Sequence, residues 1–518
     1  MSKMKQAKRK EMNPARPRKR YVWSAVILAV LTVLLYLNSL GGDFVWDDRS
    51  LILANPYVQQ MGKALQSFTR PLTIFGSNYG YYRPVAVLSL AFDNWLWNGK
   101  PFGFHVTNVV LHLIVVLCVF FLFSRIRTWK VGFVAALLFA GFACHVEYVA
   151  FISGRMDVLA ALFMLLHMLL YFRRKEPSLT TNVLCALFAL LAFLSKEIAF
   201  ALPFIYAAAV LLFMPRQEWK KHLVRGIFII GLPLLVYAGM RFLLVESVNA
   251  SAEGIFPFWQ RLLMVPHTLV LYMQLLILPY NLNARQMVLP PQHSGYGGFV
   301  VMVLILLSVV AAAIFAARRS KAFAFGAIWF AVAILPVLNI VPLRGQVIAE
   351  RFLYLPSAGF ALMLAGLIEL GGLDQTRPLG ALKVFVWILL AAVGFNNMVF
   401  AVARNPVWHN EESFFSDMVE QEPDSPLAHH NLGYVYYRQG DFAKAEQEYK
   451  KAIELNPAFP DTRATLGDLL VRTGRYEEAV REYKMYLTLY PDTPQRDKTL
   501  RVISRLMQQV AADSVRDK

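Results

Sequence analysis

Residues 104–124 read FHVTNVVLHLIVVLCVFFLFS, 21 positions without an Asp, Glu, Lys or Arg. As a helix this segment rises about 30 Å, the thickness of a bilayer's hydrocarbon core. Arg125, Arg127 and Lys130 follow at once and mark the end that stays in water. The segment is one of many. Similar apolar runs lie at 22–40, 131–150, 156–172, 180–194, 198–214, 226–244, 298–317, 322–342, 352–370 and 381–402. The composition agrees: 57% of the 518 residues are hydrophobic and 17% charged, against about 25% charged in a soluble domain. Mean hydropathy is +0.45. The reading is an all-α polytopic bundle of about 11 spans.

Charge gives the orientation. Residues 1–20 hold nine Lys/Arg and one Glu, a basic cytoplasmic leader. With that end inside, the short inner loops collect Arg125/Arg127/Lys130, Arg173/Arg174/Lys175, Arg216/Lys220/Lys221/Arg225, Arg318/Arg319/Lys321 and Arg377/Lys383. Basic residues in short loops mark the cytoplasmic side. The phase holds only if the apolar stretch 262–280, with Pro266, His267, Gln274 and Pro279, does not cross, so it reads as re-entrant or interfacial. An odd span count then places the C-terminus outside. The +18 net charge is therefore a membrane-orienting charge, and no nucleic acid is expected as a partner. Cys118, Cys144 and Cys185 lie in apolar runs without pairing or metal spacing and read as small core residues. One sequon, Asn249-Ala250-Ser251, falls in an outer loop.

The chain divides by composition into a leader 1–20, a membrane domain 21–403 with a long outer loop 41–103, and a linker or partial repeat 404–425. Two repeats at 426–493 and a capping helix and tail at 494–518 follow. Leu432, Gly433, Tyr436, Ala445, Tyr449, Ala452 and Pro457 stand at tetratricopeptide spacing. Shifted by 34 come Leu466, Gly467, Leu470, Ala479, Tyr483, Tyr486 and Pro491. Phe415, Met418 and Pro423 fit the second helix of an earlier, incomplete unit. An open repeat end needs a polar cover, which 494–511 supplies. The small solenoid is either a dock for an acceptor protein or a brace for the membrane part.

Charges beside spans are costly and mark function by default. Here they gather on the outer side. The first loop opens Asp47-Asp48 and later carries Tyr82-Arg83-Pro84 and an amphipathic stretch 84–97 ending in Trp95 and Trp97. The outer turns offer His145-Val146-Glu147, Ser153-Gly154-Arg155-Met156-Asp157, Ser195-Lys196-Glu197 and Ala349-Glu350-Arg351. One acid–base pair is usually a local ion pair; four on one face point to a shared polar cavity. Such a cavity suits an anionic headgroup on a lipid tail, held by arginine forks and a lysine point charge. A carboxylate whose pKa burial raises can take a hydroxyl proton. Each element has a plain alternative: Asp47-Asp48 as turn residues, Arg83 as a headgroup anchor, the remaining pairs as interhelical links, and His105 and His145 as satisfied interfacial histidines.

In order and placement these motifs, followed by the repeats, resemble the TMTC family over about residues 21–491. Those are transmembrane and tetratricopeptide-repeat proteins of the GT-C glycosyltransferase class, related to protein O-mannosyltransferases. The resemblance implies a GT-C-like bundle and an enzyme that moves a hexose, mannose in eukaryotic members, from a polyprenyl-phosphate donor to a protein Ser/Thr hydroxyl on the non-cytoplasmic face. It implies Asp47 as general base with Asp48 as its partner. Arg83, His145, Glu147, Arg155, Asp157, Lys196, Glu197, Glu350 and Arg351 are the candidates for donor phosphate and sugar, on charge and side of membrane. A single displacement implies inversion. No cofactor is expected; a divalent cation on Asp47 and Asp48 is the one metal to consider. Fewer repeats than in eukaryotic members leave the acceptor open. Length and compact loops lean towards a bacterial inner membrane with the repeats in the periplasm, lumenal if the host is eukaryotic. The rival reading is a non-enzymatic scaffold whose repeats assemble an envelope complex. A lipid-linked saccharide transporter ranks below both, for want of repeated halves.

Overall fold

The computed structural model describes residues 18–70, 72–74, 77–173, 177–245, 256–280, 282–284, 286–288, 290–340, 347–370 and 380–516. The leader up to residue 17, Arg174, Lys175, the Asn249 sequon, Arg344 and Arg377 lie outside them. The chain forms two compact units, Met1–Pro406 and Val407–Lys518.

The first unit is a helix bundle. Among the described residues, six helices are long and apolar enough to cross a membrane: Lys19–Ser39, Pro101–Ile126, Ile152–Tyr171, Arg216–Leu244, Tyr296–Ala317 and Ala381–Trp408. Four shorter apolar helices accompany them, Leu179–Phe193, Glu197–Phe213, Lys321–Val337 and Tyr354–Leu370. The run expected at 131–150 is not one straight span. It breaks into Trp129–Gly141 and Ala143–Val149 with a 58° bend. The cause is local. Phe142 is extended, and the freed backbone N–H of Ala143 donates to Asn397 Oδ1 at 3.1 Å. A broken span survives in a membrane where a side chain re-satisfies its backbone. A Cβ on Gly141 would lie 2.7 Å from Met398 Cγ, so the helix carrying Asn397 seats directly against the break. Of the 262–280 stretch, residues 262–277 belong to one helix, Phe258–Ile277, with Pro266 inside it.

Helix-to-helix packing is close wherever glycine allows it. The Lys321–Ile334 and Tyr354–Leu370 helices meet through Gly326, Gly359 and Gly366, where an added Cβ would come within 2.6 Å of the partner's backbone. The long loop at 41–103 is structured over its described residues. It contains the amphipathic helix Pro84–Trp97, which buries Val85, Ala86, Leu90 and Asp93 and exposes Phe92, Trp95 and Leu96. The fold is all-α apart from two short ribbons. Two antiparallel ribbons occur among the described residues, Leu72–Ile74 with Ser77–Tyr81 and Gln286–Met287 with Val347–Ile348.

The second unit is a solenoid of helices Glu411–Gln421, Pro426–Gln439, Phe442–Leu455, Pro460–Arg472, Tyr476–Leu489 and Arg496–Arg516. The 34-residue period is visible in its contacts. A Cβ on Gly433 would lie 2.8 Å from the Tyr449 ring, and one on Gly467 equally 2.8 Å from the Tyr483 ring. The His429–Glu448 pair (2.6 Å) recurs 34 residues on as Arg463–Glu482 (2.8 Å). The last helix covers the end of the core with Ile503 and Leu506.

Candidate functional site

The turn after the first span sets the geometry. Trp46 adopts a left-handed backbone (φ 52°), unusual for a bulky residue and worth 1–2 kcal/mol or so of strain. It is held by stacking on Phe151, with ring centroids 6.1 Å apart. Past this bend, Asp47 and Asp48 face different ways. Asp48 is buried. Its Oδ1 accepts from the Ser153 N–H (2.8 Å) and Ser153 hydroxyl (2.5 Å), and its Oδ2 from the Val45 N–H (3.2 Å). Asp47 accepts no side-chain hydrogen bond from any described residue and opens onto a cavity of about 530 Å³. Protein crowds it on most sides although solvent reaches it. Burial therefore raises its pKa above the usual carboxylate value, against the lowering pull of Arg351.

Arg83, Asp157, Lys196, Glu197 and Arg351 line the same cavity, together with Arg241. They are cross-linked in space. Arg83 donates through Nε (3.1 Å) and Nη2 (2.9 Å) to Glu197 Oε2. Lys196 Nζ lies 2.5 Å from Asp157 Oδ2. Arg351 Nη1 donates to Glu147 Oε1 (3.0 Å) and the Ala284 carbonyl (2.8 Å), while its backbone N–H donates to Glu147 Oε2 (2.7 Å). Apolar side chains, among them Leu51, Phe200, Val337 and Phe352, complete the wall.

The other sequence candidates do not line the cavity. Glu147 stands behind Arg351, fully buried. Glu350 is buried against Arg404 (3.2 Å). His145 is buried among aromatic rings and bonds Ser357 Oγ through Nε2 at 2.7 Å. Arg155 is buried 2.6 Å from Asp93, with Asn108 Oδ1 at 2.7 Å and the Phe104 carbonyl at 3.0 Å. Arg155 and His145 thus hold elements together away from the cavity. Gly154 is fixed by the same packing, since a Cβ there would meet the Glu147 carbonyl at 2.5 Å. As for metal, Asp48 spends its oxygens on protein donors, and no group of three His, Cys, Asp or Glu among the described residues could hold an ion.

Arg241 is the site residue that sequence reading passed over. It stood at the end of an apolar run and had no acid beside it. The available signal was a lone charge inside a span. In the structure its neighbours Phe242 and Leu243 point outward, 86% and 82% exposed, and Arg241 turns into the cavity.

Burial pushes Asp48 up to about 7, only partly offset by the Ser153 and Val45 donors. An acid whose folded pKa lies above its unfolded one, near 4, destabilises the fold as it ionises. Relative to Asp48→Asn, the wild-type protein should therefore lose stability as pH rises from about 4 to about 7, by roughly 4 kcal/mol. Thermal unfolding of both proteins across that pH range checks it; parallel curves would contradict it.

Tetratricopeptide repeat families match residues 436–500 and 414–447. A protein O-mannosyl-transferase of Caenorhabditis elegans is 27% identical over 83% of this chain and 62% of its own length. Protein O-mannosyl-transferase TMTC1 of Homo sapiens is 27% identical over 82% of this chain and 54% of its own. TMTC4 of Mus musculus is 28% identical over 83% and 66%. The chain thus spans just over half to two thirds of the length of these relatives. The crystal structure of an Archaeoglobus fulgidus oligosaccharyltransferase tethered with an acceptor peptide aligns with TM-score 0.45 and 14% identity, over 79% of this chain and 58% of that one. By its sequence matches the chain is TMTC-like, a homologue of the transmembrane and tetratricopeptide-repeat protein O-mannosyl-transferases.

Proposed function

We propose that the membrane unit is a glycosyltransferase of the GT-C type. It moves a hexose, mannose in the first instance, from a polyprenyl-phosphate donor to a protein hydroxyl on the non-cytoplasmic face. One observation carries the reading: a carboxylate with no hydrogen-bond partner among the described residues, Asp47, faces a half-apolar cavity that four cationic side chains also line. Asp47 takes the acceptor's proton as the hydroxyl oxygen bonds to the anomeric carbon. The carbon–oxygen bond to phosphate breaks, and the electron pair leaves with the phosphate, whose charge the cations offset. The donor brings its own leaving group, so the protein's work is to position and to neutralise. One displacement inverts the anomeric centre. The apolar wall accepts the lipid tail, and the repeats recruit the acceptor protein. The names of the relatives support the sugar and the acceptor class, and the basic bias of the alternate loops supports the face; the compartment we propose is a bacterial inner membrane.

The scaffold alternative keeps one support: Arg83–Glu197, Lys196–Asp157 and Arg351–Glu147 are closed ion pairs of the kind that brace a bundle. A panel of radiolabelled polyprenyl-phosphate sugars offered to membranes that contain the protein separates the two. The enzyme reading expects label on protein from at least one donor and with inverted configuration. Absence of transfer from every donor would overturn it.

A further inference from the structure

Three of the cavity's four cations are hydrogen-bonded to a carboxylate: Arg83 to Glu197, Lys196 to Asp157 and Arg351 to Glu147. Arg241 differs. Its Nη1 lies 3.8 Å from Glu197 Oε1, within ion-pair range but too far for a hydrogen bond. Both atoms are buried and without a hydrogen-bond partner. Leaving such groups unmade is expensive, so the arrangement is that of a pair waiting for a third member. Glu197 explains how it persists. Its Oε2 is spent on Arg83. Its second oxygen draws the Arg241 guanidinium by charge without consuming the Nη1 donor.

The helix makes this presentation possible. Leu232–Leu244 follows a π-helical segment, Ile227–Gly231. Arg241 is in its last turn. The adjacent Phe242 and Leu243 face outward, and the guanidinium sits between the Tyr237 hydroxyl, Glu197 and the cavity.

We propose that Arg241 is a phosphate-binding residue of the cavity, taking the anionic phosphate of the lipid-linked substrate on its uncommitted Nη1. The inference rests on the donor class in the proposed function and adds to it the residue that grips the headgroup. A planar fork with a free donor suits a phosphate oxygen better than a lysine ammonium does.

The test is binding, not turnover, so it does not depend on knowing the sugar. Purified full-length protein in detergent is titrated with farnesyl phosphate and with farnesol. Wild type should prefer farnesyl phosphate. Arg241→Gln should weaken farnesyl phosphate by about 10- to 100-fold, the worth of one charge-assisted hydrogen bond, and leave farnesol unchanged. Intact farnesol binding shows that the variant is folded. Arg241→Lys should fall between the two, and it carries the test if Arg241→Gln does not fold. Wild-type affinity for farnesyl phosphate in either variant overturns the Arg241 assignment. A wild-type protein that binds both compounds equally overturns the lipid-phosphate reading itself, and the inference falls with it.

Discussion

Replacing Asp47 with asparagine is expected to lower sugar transfer by about 10²- to 10⁴-fold, the range a positioned general base contributes. The substitution is nearly isosteric and removes the ability to accept a proton together with the negative charge that faces Arg351. Asp47 accepts no side-chain hydrogen bond from any described residue, so the fold loses nothing that holds it together. Membrane insertion and melting temperature should stay at wild-type values. The pH profile gives a second readout. The base works only when ionised, so the wild-type rate should fall as pH drops through the raised Asp47 pKa, and the residual rate of the variant should not follow that slope. Asp48→Asn should behave otherwise, because Asp48 ties Val45 to Ser153 and its loss loosens the turn that aims Asp47. Full transfer by Asp47→Asn would end the base assignment.

The other large effect belongs to Arg155→Ala, expected to cost about 3–5 kcal/mol, the penalty for breaking a buried ion pair and leaving its partner uncompensated. Arg155 and Asp93 are each 1% exposed and 2.6 Å apart. The guanidinium also reaches the Ser89 carbonyl (3.3 Å), Asn108 and the Phe104 carbonyl. One side chain thereby joins the amphipathic Pro84–Trp97 helix to the Pro101–Ile126 and Arg155–Tyr171 helices. Thermal unfolding in detergent should show a large drop. The double variant Arg155→Met/Asp93→Leu should recover much of it, since an apolar pair of similar volume leaves no orphan charge. The measurement also decides between two roles. A phosphate ligand, as its charge alone implied, would give a folded protein with weak donor binding; a structural arginine gives a protein that fails to fold well.

Most of the architecture was legible because hydropathy and the 34-residue period are properties of neighbouring residues. Gly433 with Tyr449 and Gly467 with Tyr483 repeat at a fixed interval, so a sequence displays them. The break at Phe142 was not legible. The residue that permits it, Asn397, lies 254 positions away, and nothing near residue 142 announces it. The same limit governs the site. Acids and bases close in sequence pointed to a shared polar cavity, or to interhelical links, without saying which acid meets which base. Adjacent residues in a tight turn point apart, and each chose a distant partner: Lys196 bonds Asp157, Glu197 bonds Arg83, and Arg351 bonds Glu147. The residue types were readable. Which of them reach the cavity depended on helix rotation, and that is why Arg241 enters while Arg155 and His145 stay buried.

The crossed ion pairs carry a consequence for what the cavity will tolerate. Three of its four cations, Arg83, Lys196 and Arg351, arrive already escorted by a close carboxylate of the protein, and only Arg241 keeps its counter-ion at 3.8 Å. At those three, chloride, sulfate or a stray detergent headgroup would have to displace an internal counter-ion held at 2.5–3.0 Å. Small inorganic anions bring no tail with which to compensate. A ligand that adds a long hydrocarbon chain to its negative charge can, and so the site filters its visitors by demanding both at once.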